Sequence, residues 1–151
     1  MGRISDMDVF EKYQWMYEVN TMSALMTAKL ATHLLAPCGM LIFTGSKEVF
    51  HEDANDKFPY ALSKSEVMQY ACEMGELKNF PENCIVSVIL PSIIDTKKNR
   101  QAMPMENHKE WEDPNLIAEH IKQWALGEDR PGNGAFAEFT KHKKKLLPLF
   151  T

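Results

Sequence analysis

The 151 residues carry 44% hydrophobic and 25% charged side chains, a balance with which one ordinary globular domain, spanning 1–151, can bury a core. A formal net charge of -4 gives no basic field for a phosphate backbone or an anionic lipid surface, so neither nucleic acid nor membrane is expected as a partner. The cysteines Cys38, Cys72 and Cys84 show no CxxC spacing, and no apolar run has the length of a signal peptide or a membrane span; a cytoplasmic protein is expected.

Residues 6–35 contain neither glycine nor proline, and Tyr17, Val19, Met22, Leu25, Met26, Leu30, Leu34 and Leu35 recur at helical spacing. Ala24, Ala28 and Ala31 spread the apolar surface beyond one stripe, so this long helix is expected to pack on two sides, the second against a partner helix or subunit. Pro37-Cys38-Gly39 stops it. Met40 to Phe43 then reads as a buried strand feeding the loop Thr44-Gly45-Ser46. After a polar loop to Pro59, a second helix is expected over 60–77, with Ala61, Val67, Met68, Ala71 and Met74 near one side.

Pro81 and Asn83 break the chain before Cys84 to Leu90, a continuous β-branched run suited to a strand covered on both faces. A charged stretch over 95–112 follows. Asp113-Pro114 has the cap and first-turn proline of a helix continuing through Ile117, Ile121 and Trp124 to Gly127. Residues 130–134 form a turn, 135–140 a last strand, and 141–145 a basic, solvated tail. Alternation of helix and strand predicts an α/β fold, an incomplete doubly wound parallel sheet lacking strands on one side.

Tyr60 and Lys64 stand four apart, so on a helix their side chains share a face. An ammonium near a phenol favours the phenolate and prepares Tyr60 to exchange a proton with a substrate. Ser46, at the end of a buried strand, is placed to donate a hydrogen bond to a substrate oxygen. Asn20, polar within an apolar helix, can hold a water that relays protons to Lys64. No HxxxH or HExxH spacing occurs, and no metal is expected.

Asn20, Ser46, Tyr60 and Lys64, in that order, resemble the catalytic tetrad of the short-chain dehydrogenase/reductase family, and Leu90-Pro91-Ser92-Ile93-Ile94-Asp95-Thr96 resembles its turn against the nicotinamide ring. Within that family, Ala31-Thr32, Asn99-Arg100, Met103-Pro104, Trp111, Trp124 and Arg130-Pro131 are similar to the dihydropteridine reductases. The resemblance implies a Rossmann-like carboxy-terminal catalytic half without the first strands and the glycine-rich loop. It also implies NADH or NADPH held by Tyr60, Lys64, Pro91, Ile94 and Thr96, and reduction of a quinonoid dihydropteridine to the tetrahydropteridine. A homodimer through helices 6–35 and 60–77 goes with it. Two alternatives stay open. Ser46 would suit a carbonyl reductase of the same family, and a chain without the pyrophosphate loop would suit a non-catalytic fragment that pairs with a full-length subunit.

Overall fold

The computed structural model describes residues 2–50, 56–77, 80–139 and 145–147. The stretch free of glycine and proline is one helical path in successive parts: α1 (Val9–Met16), a π-helical segment (Tyr17–Met22) and α2 (Ser23–Leu34). The expected uninterrupted α-helix is thus widened in its middle. Two interactions accompany the widening. The Ser23 hydroxyl donates back to the Val19 carbonyl at 2.6 Å, loosening the local ladder, and the neighbours Asn20 and Thr21 both turn their side chains to the helix α3 (Phe58–Gly75).

Ala24, Ala28 and Ala31 form the buried side of α2, and their small size lets the helix lie close on the sheet. The chain leaves α2 through Leu35 in extended conformation and turns at Cys38, whose φ of 61° is left-handed. Arg130 braces this turn from the far end of the sequence, donating to the carbonyls of Cys38 and Gly39 at 2.9 and 3.2 Å.

The sheet runs β1 (Met40–Thr44), β2 (Ile85–Leu90), β3 (Ala135–Glu138) and β4 (Lys145–Leu147), in that spatial order. The first three strands are parallel, with Phe43 beside Val88 and Val88 beside Phe136. The α/β expectation with a parallel sheet holds, and β4 departs from it. Part of the tail expected to be solvated pairs antiparallel with β3, Lys145 opposite Glu138 and Leu147 opposite Phe136, while 140–144 lie outside the described residues.

The two faces of β2 carry two cores. Val86, Val88 and Leu90 pack with Leu41, Phe43 and, from α3, Val67, Met68 and Ala71. Ile89 and Ala137 pack on the opposite face with Ile117 and Trp124 of α5 (Pro114–Ala125), where Trp124 is fully buried. The crossovers β1–α3–β2 and β2–α5–β3 step in the same direction yet lie on opposite faces, so they have opposite hands. One of them departs from the right-handed preference of parallel crossovers.

Between β2 and α5 lie α4 (Lys97–Ala102) and a 3-10 turn (His108–Glu110), within the stretch read above only as charged. Among the described residues, no helix is long and apolar enough to cross a membrane.

Candidate active site

Parallel strands deliver their carboxy ends to one edge of the sheet, where loops carry side chains free of ladder duties. Here that edge holds Gly45–Lys47 after β1 and Pro91–Thr96 after β2, and the loop from Lys47 leads to α3 with Tyr60 in its first turn. Pro59 at the start of α3 sets the first helical turn at no hydrogen-bond cost.

Tyr60 and Lys64 share a face as their spacing demands, with the Lys64 ammonium 5.9 Å from the centre of the Tyr60 ring. Lys64 donates to the Thr44 carbonyl at 2.9 Å, and burial pushes its pKa below the ordinary lysine value. The Tyr60 hydroxyl has no hydrogen-bond partner among the described residues and is half-buried. A cation is therefore held beside a phenol whose oxygen remains available. Ser46 is 4% exposed, immediately past the strand that Lys64 grips.

Asn20 lines a pocket of about 220 Å³ together with Lys64, Thr44, Ile42 and Val67. Its amide donates to the Ser63 hydroxyl at 3.0 Å, and Ser63 in turn donates to the Tyr60 carbonyl at 2.9 Å. The structure thus ties Asn20 to α3 through Ser63 and leaves its relation to Lys64 as two walls of one pocket. Thr21, buried, bonds Glu66 at 2.8 Å, and Tyr13 bonds the other Glu66 oxygen at 2.5 Å, which pushes the Tyr13 pKa up to about 12. This clamp fixes the first helical path against α3 two residues beyond Lys64.

On the β2 side, Pro91 is buried and its carbonyl accepts from the Lys47 backbone at 3.2 Å, which joins the loop bearing Ser46 to the turn 91–96. The Ile94 carbonyl accepts from Asn99 at 2.8 Å. Thr96 caps α4, its hydroxyl accepting from the Asn99 backbone at 3.1 Å, and the proton of that hydroxyl is left to donate elsewhere. Lys47 pairs with Glu138 across the strand ends, and beside them Glu112 is 6% exposed with its pKa raised by burial.

Sequence reasoning missed Ser63, Lys47, Glu112 and the Thr44 carbonyl. Ser63 alone had a signal, its three-residue offset from Tyr60. The others are a backbone atom and charges that nothing in a single sequence separates from a solvated surface.

For a nicotinamide dinucleotide, these residues fit one end of the molecule. A donor-bearing turn at 91–96, the free Tyr60 hydroxyl and the Lys64 ammonium suit a ribose and a nicotinamide ring. They do not supply the pyrophosphate cradle, which needs glycines between a strand and a helix. The sequence has one Gly-x-Gly, Gly132-Asn133-Gly134, and it opens a strand instead. Asn133 there bonds the Val86 backbone at 2.8 Å and the Gly75 carbonyl, clamping α3 to the sheet.

No family model matches the chain. A dihydropteridine reductase from Dictyostelium discoideum is 26% identical over 148 residues, covering 95% of this chain and 62% of that protein. Among solved structures, a short chain dehydrogenase from Salmonella enterica serovar Typhi superposes with a TM-score of 0.69 at 25% identity, over 91% of this chain and 56% of that one. An E. coli oxidoreductase superposes with a TM-score of 0.52 at 25% identity, over 66% and 40% of the two chains. Sequence and fold agree in one likeness: the chain resembles the short-chain dehydrogenases over most of its own length, and it spans little more than half the length of the first relatives it matches.

Proposed function

We propose that this chain supplies the proton-transfer half of a nicotinamide-dependent reductase, with a dihydropteridine as substrate and NADH or NADPH as cofactor. The observation that carries the proposal is the unpartnered Tyr60 hydroxyl beside a desolvated Lys64 at the carboxy ends of the strands. Likeness to a dihydropteridine reductase over 95% of the chain supports the substrate class.

The cofactor supplies the hydride. Tyr60 gives a proton to the reduced ring, and Lys64 stabilises the phenolate left behind while it holds a ribose hydroxyl. Its anchorage on the Thr44 carbonyl sets the ammonium in place before substrate arrives. Ser46 hydrogen-bonds the substrate, and Pro91, Ile94 and Thr96 face the nicotinamide. Asn20 holds a water in the pocket it shares with Lys64.

The chain pairs with a second copy through helices 6–35 and 60–77. Trp15, Val19, Met26, Leu30 and Leu34 on the first and Leu62 on the second are exposed and apolar, which supports a covering partner. Its free cysteines suit the reducing cytoplasm.

The buried Ser46 favours a second reading, a carbonyl reductase, because a serine donor polarises a ketone. The absent cradle favours a third, a non-catalytic fragment that pairs with a full-length subunit. Calorimetric titration of the purified chain with NADH, beside an intact dihydropteridine reductase, tests the proposal. Saturable binding is expected. Absence of binding overturns the assignment for this chain and leaves the pairing fragment, and turnover of ketones alone replaces the pterin.

A further inference from the structure

The chain leaves β2 at Leu90, makes an excursion through α4 and the 3-10 turn, and returns to begin α5. The two ends of the excursion meet at one residue. Glu112 pairs with Ile94 as an isolated parallel bridge, its N–H donating to the Ile93 carbonyl at 2.9 Å and its carbonyl accepting from the Asp95 N–H at 2.7 Å. Its side chain adds a third tie, accepting from the Ser92 hydroxyl at 2.9 Å.

The side chain is an unusual choice for a purely structural tie. Glu112 is 6% exposed, and its second carboxyl oxygen is buried with no hydrogen-bond partner among the described residues. Leaving such an oxygen unpaired costs stability, and an apolar residue would close the neck without that cost. The charges that act on it are Lys47, which follows Ser46, and Glu138 at the end of β3. The carboxyl therefore touches the start of the excursion and lies in the field of the loop bearing Ser46. Its neighbour Trp111, 7% exposed and with its ring tilted against that of His108 at 4.3 Å between centres, anchors the returning end, while Asp113 caps α5.

We propose that Glu112 is a positioning residue: through Ser92 it pins the loop 92–111 over the carboxy ends of β1 and β2 and so fixes Ile94 and Thr96 where a cofactor or substrate is to be met. Its consequence for the cofactor rests on the function proposed above, and its effect on the loop does not.

The loop offers its own probe, because Lys97, Lys98, Arg100 and Lys109 are exposed trypsin sites within it. Limited trypsin digestion of the folded chain is compared for wild type, Glu112→Ala, Glu112→Gln and Ser92→Ala, with circular dichroism as the control for folding. Where cleavage follows local opening, cutting within 97–109 is expected to be about tenfold faster in Glu112→Ala and about fivefold faster in Ser92→Ala. Glu112→Gln keeps the acceptor for Ser92 without the buried charge and is expected to be cut no faster than wild type. Equal rates in wild type and Glu112→Ala overturn the proposal, as does a Glu112→Gln chain cut as fast as Glu112→Ala. Should Glu112→Ala fail to fold, an unchanged rate in Ser92→Ala overturns it alone. NADH titration of the same proteins separates the two claims. Weaker binding in Glu112→Ala with recovery in Glu112→Gln supports the positioning of Ile94 and Thr96. Undiminished binding in a Glu112→Ala chain with a loosened loop overturns that part. No NADH binding by wild type removes the reductase reading while the digestion still decides the role of Glu112 in the loop.

Discussion

Lys64 reaches from the second turn of α3 to the carbonyl of Thr44, the last residue of β1, at 2.9 Å. In the parallel register, Gly45 N–H donates to Ile89 and the Gly39 carbonyl accepts from Ile85, so the alternate backbone groups of Met40, Ile42 and Thr44 point away from β2. Among the described residues β1 is the edge of the sheet, and the lysine expected to serve chemistry also satisfies an edge carbonyl.

Lys64→Met should therefore separate structure from chemistry. The substitution strips the Thr44 carbonyl of its donor and also removes an ammonium whose pKa burial depresses, so the losses and gains offset. Stability by urea unfolding is expected to stay within about 1 kcal/mol of wild type. A much larger loss would make Lys64 a structural prop rather than a cation kept for a ligand.

Tyr60→Phe removes one oxygen that has no partner within the described protein, so folding should be untouched. If Tyr60 is the proton donor, the rate of dihydropteridine reduction falls by at least about 100-fold, the usual contribution of a positioned general acid. Single-turnover kinetics with NADH would show it, and near-normal turnover would sink the mechanism.

The clamp on Glu66 gives a pH test. Tyr13 donates to Glu66 at 2.5 Å and its pKa rises to about 12 from the ordinary value of 10.0, so the folded state prefers the neutral phenol. The resulting stability is fully present below pH 10 and is lost as the pH climbs toward 12. Tyr13→Phe is expected to cost about 1 kcal/mol at neutral pH and to flatten stability between those limits. An unchanged slope in alkaline melts would show that the phenol does not hold the carboxylate.

Much of this architecture is written in local pattern. The β-branched run ending at Leu90 and the Asp113-Pro114 start of α5 are decided by residues within a few positions of one another, and both elements form where expected. The π-helical segment was not legible. Its side chains answer to Ser63 and Glu66, more than forty positions away, and a widened helix keeps the same apolar spacing at either end. α4 was missed because Lys97–Ala102 has no buried face and rests on its Thr96 cap. β4 was missed because three residues take their conformation from pairing with β3. At the site, the Tyr60 and Lys64 spacing was readable, whereas what Lys64 binds is a backbone oxygen.

The exposed apolar face of the first helical path predicts association. Met26 and Leu30 are 62% and 55% exposed, one turn apart, on α2. Met26→Glu with Leu30→Lys should leave the buried Ala24, Ala28 and Ala31 side intact and shift the chain from dimer to monomer in sedimentation velocity. A wild-type chain already monomeric at high concentration would remove the proposed pairing.

Glu112 supplies the opposite pH slope to that of the tied carboxylates usual in proteins. Burial raises its pKa, chiefly by desolvating the charged form, while Ser92 and Lys47 act to lower it and Glu138 adds repulsion. A carboxyl whose folded-state pKa is raised contributes stability that is full below the ordinary glutamate value and is lost as pH rises through its own. Glu112→Gln keeps the shape and the Ser92 hydrogen bond without the charge, so it should equal wild type in acid and exceed it at neutral pH, by about 1 kcal/mol. Urea unfolding from pH 4 to 8 measures the difference. A Gln variant less stable than wild type at neutral pH would mean that the ionised carboxylate is well paired and that the unpartnered oxygen has found a donor.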